Sequence, residues 1–263
     1  MRILKYLIMP LMSLICNLNI VFSQSYKIPV ENTRGGKLIL EDFIGTLPVE
    51  GYDGKEIIFS SGENDNSQMG LHMERNGNKI TVTCLLPITR RKEYKVKVPA
   101  NFSIKVESGC ERSNDLIISN MNNEIDVINC QSITLMNTSG SIVLSTIQGN
   151  IKLDQCKLDS DATLSISTIS GNIQAIFTQV QPKVSISISS ISGEVEITVP
   201  TSLAANLLLK TVSGSVFSDF DFPDKAQHTN EIIGTTIENK LNGGGVGFNL
   251  STVSGNISLR KGH

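Results

Sequence analysis

The residues in this chain with the clearest chemical potential are carboxylates. Asp219, Asp221 and Asp224 fall within "FSDFDFPDKAQH", and strand alternation would put Asp219 and Asp221 on one face. Two such groups can act as acid and base in glycoside hydrolysis or help to hold Ca²⁺. The neighbouring Phe217, Phe220 and Phe222 fit a simpler reading, an ordinary strand with a wet face leading into a proline turn. Asp154, Asp159 and Asp161, around a ten-residue loop, are read in the same way. A GxSxG elbow, an HExxH helix and a P-loop are all absent from the sequence, so the expectation is a protein that is not an enzyme and holds no cofactor.

Metal binding finds equally little to work with. The histidines are His72, His228 and His263, and no two of Cys84, Cys110, Cys130 and Cys156 have a CxxC-like spacing. Four cysteines beyond Cys16 allow three disulfide connectivities. Cys110 and Cys130 are 20 residues apart, a spacing that suits either a disulfide or a ladder of buried thiols. Arg90, Arg91, Lys92, Lys95 and Lys97 form the one basic cluster, but "YKVKVP" makes Lys95 and Lys97 the wet face of a strand.

What must position these groups is a repeat. "LSTIQGNI" (144–151), "ISTISGNI" (166–173), "ISSISGEV" (188–195), "LKTVSGSV" (209–216) and "LSTVSGNI" (250–257) align on their glycines. Weaker copies are "LMNTSGSI" (135–142), "LEDFIGTL" (40–47) and "ISNMNNEI" (118–125), the last with Asn123 in the glycine column. Asn tolerates a left-handed backbone, so the column is expected to be a turn of positive φ. Gly149, Gly171, Gly193 and Gly214 follow one another at 22, 22 and 21 residues, and Gly255 comes 41 later. Gly140 and Gly149 fit two corners of one coil.

A period near 20 residues made of β-branched residues, Ser and Gly, without helical periodicity, predicts an all-β parallel β-solenoid, or β-helix, with coils of about 20–22 residues. Each coil should hold at least two short strands hinged at the Ser-Gly turn. Leu164, Ile166 and Ile169 before the glycine, and Ile173, Ala175 and Phe177 after it, form the expected apolar set. A phosphate-cradling loop would open a helix, whereas each glycine here precedes another Ile/Val strand. Like residues should stack into outer ladders, Ser145, Ser167, Ser189, Lys210 and Ser251 in one line with Thr146, Thr168, Ser190, Thr211 and Thr252 beside it. Such a face either keeps a sheet soluble or offers a flat hydroxyl surface to a repetitive polymer. The glycines of "NGGG" (242–245) read as a tight corner before the last coil.

The first residues, "MRILKYLIMPLMSLICNLNIVFSQ", have the form of a signal peptide over 1–23, which leaves 24–263 as one solenoid domain. Within it, 24–100 is less regular, 101–263 carries the coils, and 218–249 is an irregular insertion. No other segment is long enough to span a bilayer. A formal charge of -2 and a pI near 6.0 argue against nucleic acid as a partner. With no Trp, an aromatic sugar platform is not expected either.

"LEDFIGTLPVEGYDGKEIIF" (40–59), "YKVKVPANFSIKVES" (94–108), the Ser-Gly repeats and "KLNGGGVGFNLSTVSGNISLRKG" (240–262) together resemble the bacterial DUF4097 family of adhesin-like proteins. The resemblance implies an exported β-solenoid and supplies no catalytic residues. The expected function is therefore adhesion or scaffolding in the cell envelope, in the periplasm, on the outer membrane surface or outside the cell, with an envelope or extracellular polymer or protein as partner. A carbohydrate-binding or carbohydrate-processing β-helix built around Asp219, Asp221 and Asp224 is the alternative.

Overall fold

The computed structural model describes residues 24–61, 69–89, 92–110, 115–221 and 234–262. The expected leader, Arg90, Arg91, Asp224, His228 and His263 lie outside these residues, as do 62–68 and 222–233.

Strands make up the described chain. The N-terminal part forms β1 (Gln24–Pro29), β2 (Lys37–Glu41), β3 (Leu47–Tyr52), β4 (Glu56–Ser61), β5 (Leu71–Asn76), β6 (Lys79–Cys84), β7 (Tyr94–Pro99) and β8 (Ser103–Glu107). The middle forms β9 (Leu116–Ser119), β10 (Ile125–Ile128), β11 (Ile133–Met136), β12 (Ile142–Gln148), β13 (Ile151–Leu158), β14 (Thr163–Ser170), β15 (Ile173–Val180), β16 (Ser185–Ser192) and β17 (Val195–Pro200). Last come β18 (Ala205–Ser213), β19 (Val216–Ser218), β20 (Thr235–Leu241), β21 (Val246–Ser254) and β22 (Ile257–Gly262).

These strands form two 11-stranded, largely parallel sheets and alternate between them from β6 to β20, the arrangement of a β-solenoid. Each coil gives one strand to either sheet, and the 22-residue step appears directly in the pairing Ile142 to Leu164 to Ile186. Inward Ile, Leu, Val and Phe from both sheets form a continuous buried cluster extending from Ile28 to Leu259. Coil-to-coil hydrogen bonds satisfy the backbone, among them Ile151 N–H to Asn172 O at 2.9 Å and Ile173 N–H to Glu194 O at 2.8 Å.

Space explains the glycine column better than torsion does. A Cβ placed on Gly171, Gly193, Gly255 or Gly214 would lie 2.0 Å from the carbonyl oxygen of the glycine one coil away. Gly149 and Asn123 do not have positive φ, contrary to the expectation for this column. Asn123 and Gly140 also occupy the opposite corner of the coil, between β9 and β10 and between β11 and β12. As expected, therefore, Gly140 and Gly149 bracket one strand at two corners. Where Asn follows the glycine it stitches the same corner: Asn150 Oδ1 accepts from the Asn172 N–H, Asn172 Oδ1 from the Glu194 N–H, and Asn256 Oδ1 from the Ser215 N–H, at 2.9–3.0 Å.

The coils do not stack in chain order at either end. β21 pairs with β16 on one side and β18 on the other, and β22 lies between β17 and β19. The last coil thus fills a gap left by its predecessors, and the glycines stack as Gly149, Gly171, Gly193, Gly255, Gly214. β2 and β3 are likewise inserted, between β8 and β6 and between β9 and β7. The less regular N-terminal part therefore contributes full coils to the same two sheets. Asn242–Gly245 forms a tight turn before the last coil, as expected, but it joins β20 and β21 on either side of β18 in one sheet and is not a corner between sheets; Gly243 and Gly244 have φ 86° and 87°, and the Asn242 side-chain amide donates to Leu203 O at 2.8 Å.

Candidate functional site

The sheet containing β12, β14, β16, β21 and β18 carries the predicted serine ladder on its outer face. Register aligns Ser145 with Ser167, Ser167 with Ser189, Ser189 with Ser251 and Ser251 with Lys210, so Ser251 precedes Lys210 in space. The Ser167 hydroxyl donates to Ser145 Oγ at 3.3 Å.

The second ladder faces the other way. Thr146, Thr168, Ser190, Thr252 and Thr211 are buried, at 1–4 % exposure, and do not lie on the surface. Their hydroxyls donate to carbonyls of a neighbouring coil's corner, Gln131, Gly149, Gly171, Gly193 and Gly255 respectively, over 2.8–3.5 Å. A corner carbonyl turned away from the strand ladder needs a donor, and an inward hydroxyl supplies one where Val would not.

Strand parity then sends the next residue outward. Ile169, grouped with the core in the sequence reading, is 50 % exposed, and Ile147, Ile191, Val253 and Val212 stand beside it at 42 %, 53 %, 49 % and 37 %. The result is a continuous column of exposed β-branched side chains parallel to the serines. Between the two columns runs an open groove of about 440 Å³. β12, β14, β16 and β21 contain no charged residue, so this face is neutral across four adjacent strands.

The other predicted residues separate. β19 ends at Ser218, so Asp219 and Asp221 follow the strand and do not alternate along it. Asp219 is taken up by structure: Arg260 Nη1 donates to its Oδ1 at 3.0 Å and the Lys261 N–H to its Oδ2 at 3.3 Å. The Arg260 guanidinium, followed by that N–H, holds the Asp219 carboxyl below the usual carboxylate range. A general acid needs the opposite shift. The expected loop around Asp154 is instead strand β13, with Asp159 and Asp161 in the turn after it. Among the described residues, no three His, Cys, Asp or Glu side chains group as metal ligands would. Lys95 and Lys97 do line the wet face of β7, where Lys97 pairs with Glu50 at 3.4 Å, while Lys92 is buried.

Cys110 and Cys130 form a disulfide between adjacent coils, with Cα atoms 5.2 Å apart. Cys84 and Cys156 are buried thiols. Burial pushes the Cys156 thiol up, against the contrary pull of the Thr138 hydroxyl 3.2 Å away. No helix among the described residues is long and apolar enough to cross a membrane.

A two-sheet parallel solenoid with a neutral, laddered outer face places the chain among the β-solenoid repeat proteins. The chain belongs to the DUF4097 family: the family model, described as Toastrack DUF4097, matches residues 45–260. Among solved structures it is similar to a "putative adhesin" from Bacteroides fragilis NCTC 9343, at 11% identity over 90% of this chain and 96% of that one, with a TM-score of 0.45. It is also similar to a "putative cell adhesion protein" from Clostridium sporogenes ATCC 15579, at 13% identity over 91% and 100% of the two chains, TM-score 0.37. A third similar structure is a "putative lipid binding protein" from Parabacteroides distasonis ATCC 8503, at 13% identity over 92% and 97%, TM-score 0.41. Comparison with curated proteins gives no match.

Proposed function

We propose that this protein is a single-domain, non-enzymatic exported component of the cell envelope that acts in adhesion or as an interaction scaffold, and that the serine and Ile/Val columns are its contact surface. The observation that carries this reading is the exposed column itself. Five β-branched residues leave 37–53 % of their surface in water at positions where solvent-side residues of a sheet are ordinarily polar. A rigid solenoid holds them at a fixed repeat of about 4.8 Å, suited to an extended polymer or another sheet. Export is supported by the form of residues 1–23 and by the Cys110–Cys130 disulfide, a bond that persists in oxidising compartments. The carbohydrate-processing alternative loses its central group, because Asp219 is occupied by Arg260 and Lys261.

The test combines location with surface mutation. Intact cells carrying a tag after His263 are treated with protease, and attachment is compared between wild type and an Ile169→Asp/Ile191→Asp variant. Accessibility to protease together with loss of attachment in the variant is the expected result. A chain that stays protected in intact cells, with attachment unchanged by the variant, would overturn surface adhesion.

A further inference from the structure

The charges at the two ends of the serine column are arranged to recognise the same surface on a second molecule. Followed across the sheet, the column runs Glu41, Glu107, Ile128, then Ser145, Ser167 and Ser189, then Ser251 and Lys210. Acid stands at one end, a cation at the other, and within the column no charge lies between; Asp126, two residues before Ile128 on β10, faces the same side. Lys105 pairs with Glu107 at 2.5 Å, yet the Glu107 side chain remains 42% exposed, so its carboxylate is open to a second donor.

We propose that this face binds a second copy of the same chain, face to face, about a two-fold axis lying along the strands at Ser167. This rests on the reading of the columns as the contact surface, and it names their partner. Such an axis keeps each residue's position along its strand and reverses the order of the coils. Glu107 and Lys210 are each three rungs from Ser167, so the rotation sets Lys210 of one copy opposite Glu107 of the other, twice. Ser145 comes to face Ser189, and Ile169 meets its own counterpart between Ile147 and Ile191. The four uncharged strands β12, β14, β16 and β21 then carry no desolvation cost of charge, while the two end pairs select register and direction. Seven strands at about 4.8 Å by roughly seven residues at about 3.3 Å describe a face of roughly 800 Å², one partner's share of a standard interface. The serines are small enough for the two sheets to approach closely, and the isologous geometry closes at two copies.

The experiment uses the purified wild-type protein and exposed-site variants. Sedimentation equilibrium at low salt is expected to show a monomer–dimer equilibrium that weakens as salt is raised. Lys210→Glu should lower the dimer affinity about tenfold, and adding Glu107→Lys to the same chain should restore it to within about threefold. Ser167→Cys, sited on the axis, should give a covalent dimer with a short bifunctional maleimide, whereas Lys152→Cys on the other sheet should not. Cys84 and Cys156 are buried and do not compete for the reagent. A wild-type monomer at every concentration, or a charge swap that fails to rescue, overturns the inference. If Ile169→Asp/Ile191→Asp also abolishes attachment by that monomer, the contact surface stands and its partner is a different molecule. If attachment too is unchanged, both readings fall.

Discussion

Replacing Gly193 with alanine tests why the repeat keeps its glycines. The new Cβ would lie 2.0 Å from Gly171 O and 2.6 Å from Gly171 C, and real Cβ contacts do not fall below 3.0 Å. Relief requires a movement of about 1 Å between coils spaced about 4.8 Å apart. Gly193 N–H donates to Ser254 O and Val195 N–H to Asn256 O, both at 2.9 Å, while the Ser190 hydroxyl holds Gly171 O at 3.3 Å, so neither side moves freely. Overpacking costs about 1–3 kcal/mol, an L-residue at the φ of +154° adds about 1 kcal/mol, and one stretched backbone hydrogen bond about 1 kcal/mol more. The expected loss is on the order of 4 kcal/mol, a large share of a typical folding free energy of about 5–15 kcal/mol. Gly247→Ala is the control, because a Cβ there meets nothing within 4 Å, and it should change stability by no more than about 0.5 kcal/mol. Urea unfolding followed by circular dichroism measures both. A difference of less than about 1 kcal/mol between the two variants would refute close approach as the reason for the glycine column.

Three further outcomes follow from the same geometry. Thr252→Val should cost about 1–2 kcal/mol by leaving Gly193 O without its hydroxyl donor, while Ser251→Val on the outer face stays within about 0.5 kcal/mol; paired melts distinguish them. Reducing Cys110–Cys130, which closes a 20-residue separation, should lower stability by about 3 kcal/mol, and a maleimide dye should leave Cys84 and Cys156 unlabelled in the native oxidised protein and label both once it unfolds. Asp219 should titrate below the ordinary carboxylate range by NMR, so its contribution to stability is present above the unfolded-state value and lost as pH falls through the lower folded value, and Asp219→Asn should remove that part of the acid dependence.

The period was readable because each coil repeats one local problem: an apolar strand, a hydroxyl for the corner carbonyl, a glycine where coils touch. Coil order was not, since "STISGNI" and "STVSGNI" present nearly the same rungs to any neighbour, and a stack of near-identical strands leaves pairing weakly specified. Only connection length distinguishes the arrangements, and the irregular stretch 218–249 was the trace of the chain doubling back. The Asp219–Arg260 pair was hidden for the same reason, because the two residues meet only once the final coil is inserted. The inward threonines and outward isoleucines were available from parity. Leu164 and Ile166 face the core, so Thr168 must as well, and Ile169 must face water. Hydrophobicity obscured that inference, since it assigns Ile to the core and Thr to the surface.

The ends of the stack explain why recognition falls to a face. A solenoid with bare terminal strands would grow by adding copies end to end. Here β5 and β20 run antiparallel at the two ends of one sheet, and β4 runs antiparallel between β7 and β1 at an end of the other, each breaking the parallel pattern of the coils. These capping strands carry Glu74 and Arg75, Lys27, and Glu238 and Lys240, and β19 is only three residues long. Charge and short length are both devices against edge pairing. Insertion of β2/β3 and β21/β22 adds a further lock, since each outermost coil is tied to the stack through a coil from elsewhere in the chain. With both edges closed, the broad repetitive surface left for contact is the sheet face, and on the side of β12, β14, β16 and β21 that face is neutral, ridged with Ile and Val, and bounded by charges of opposite sign.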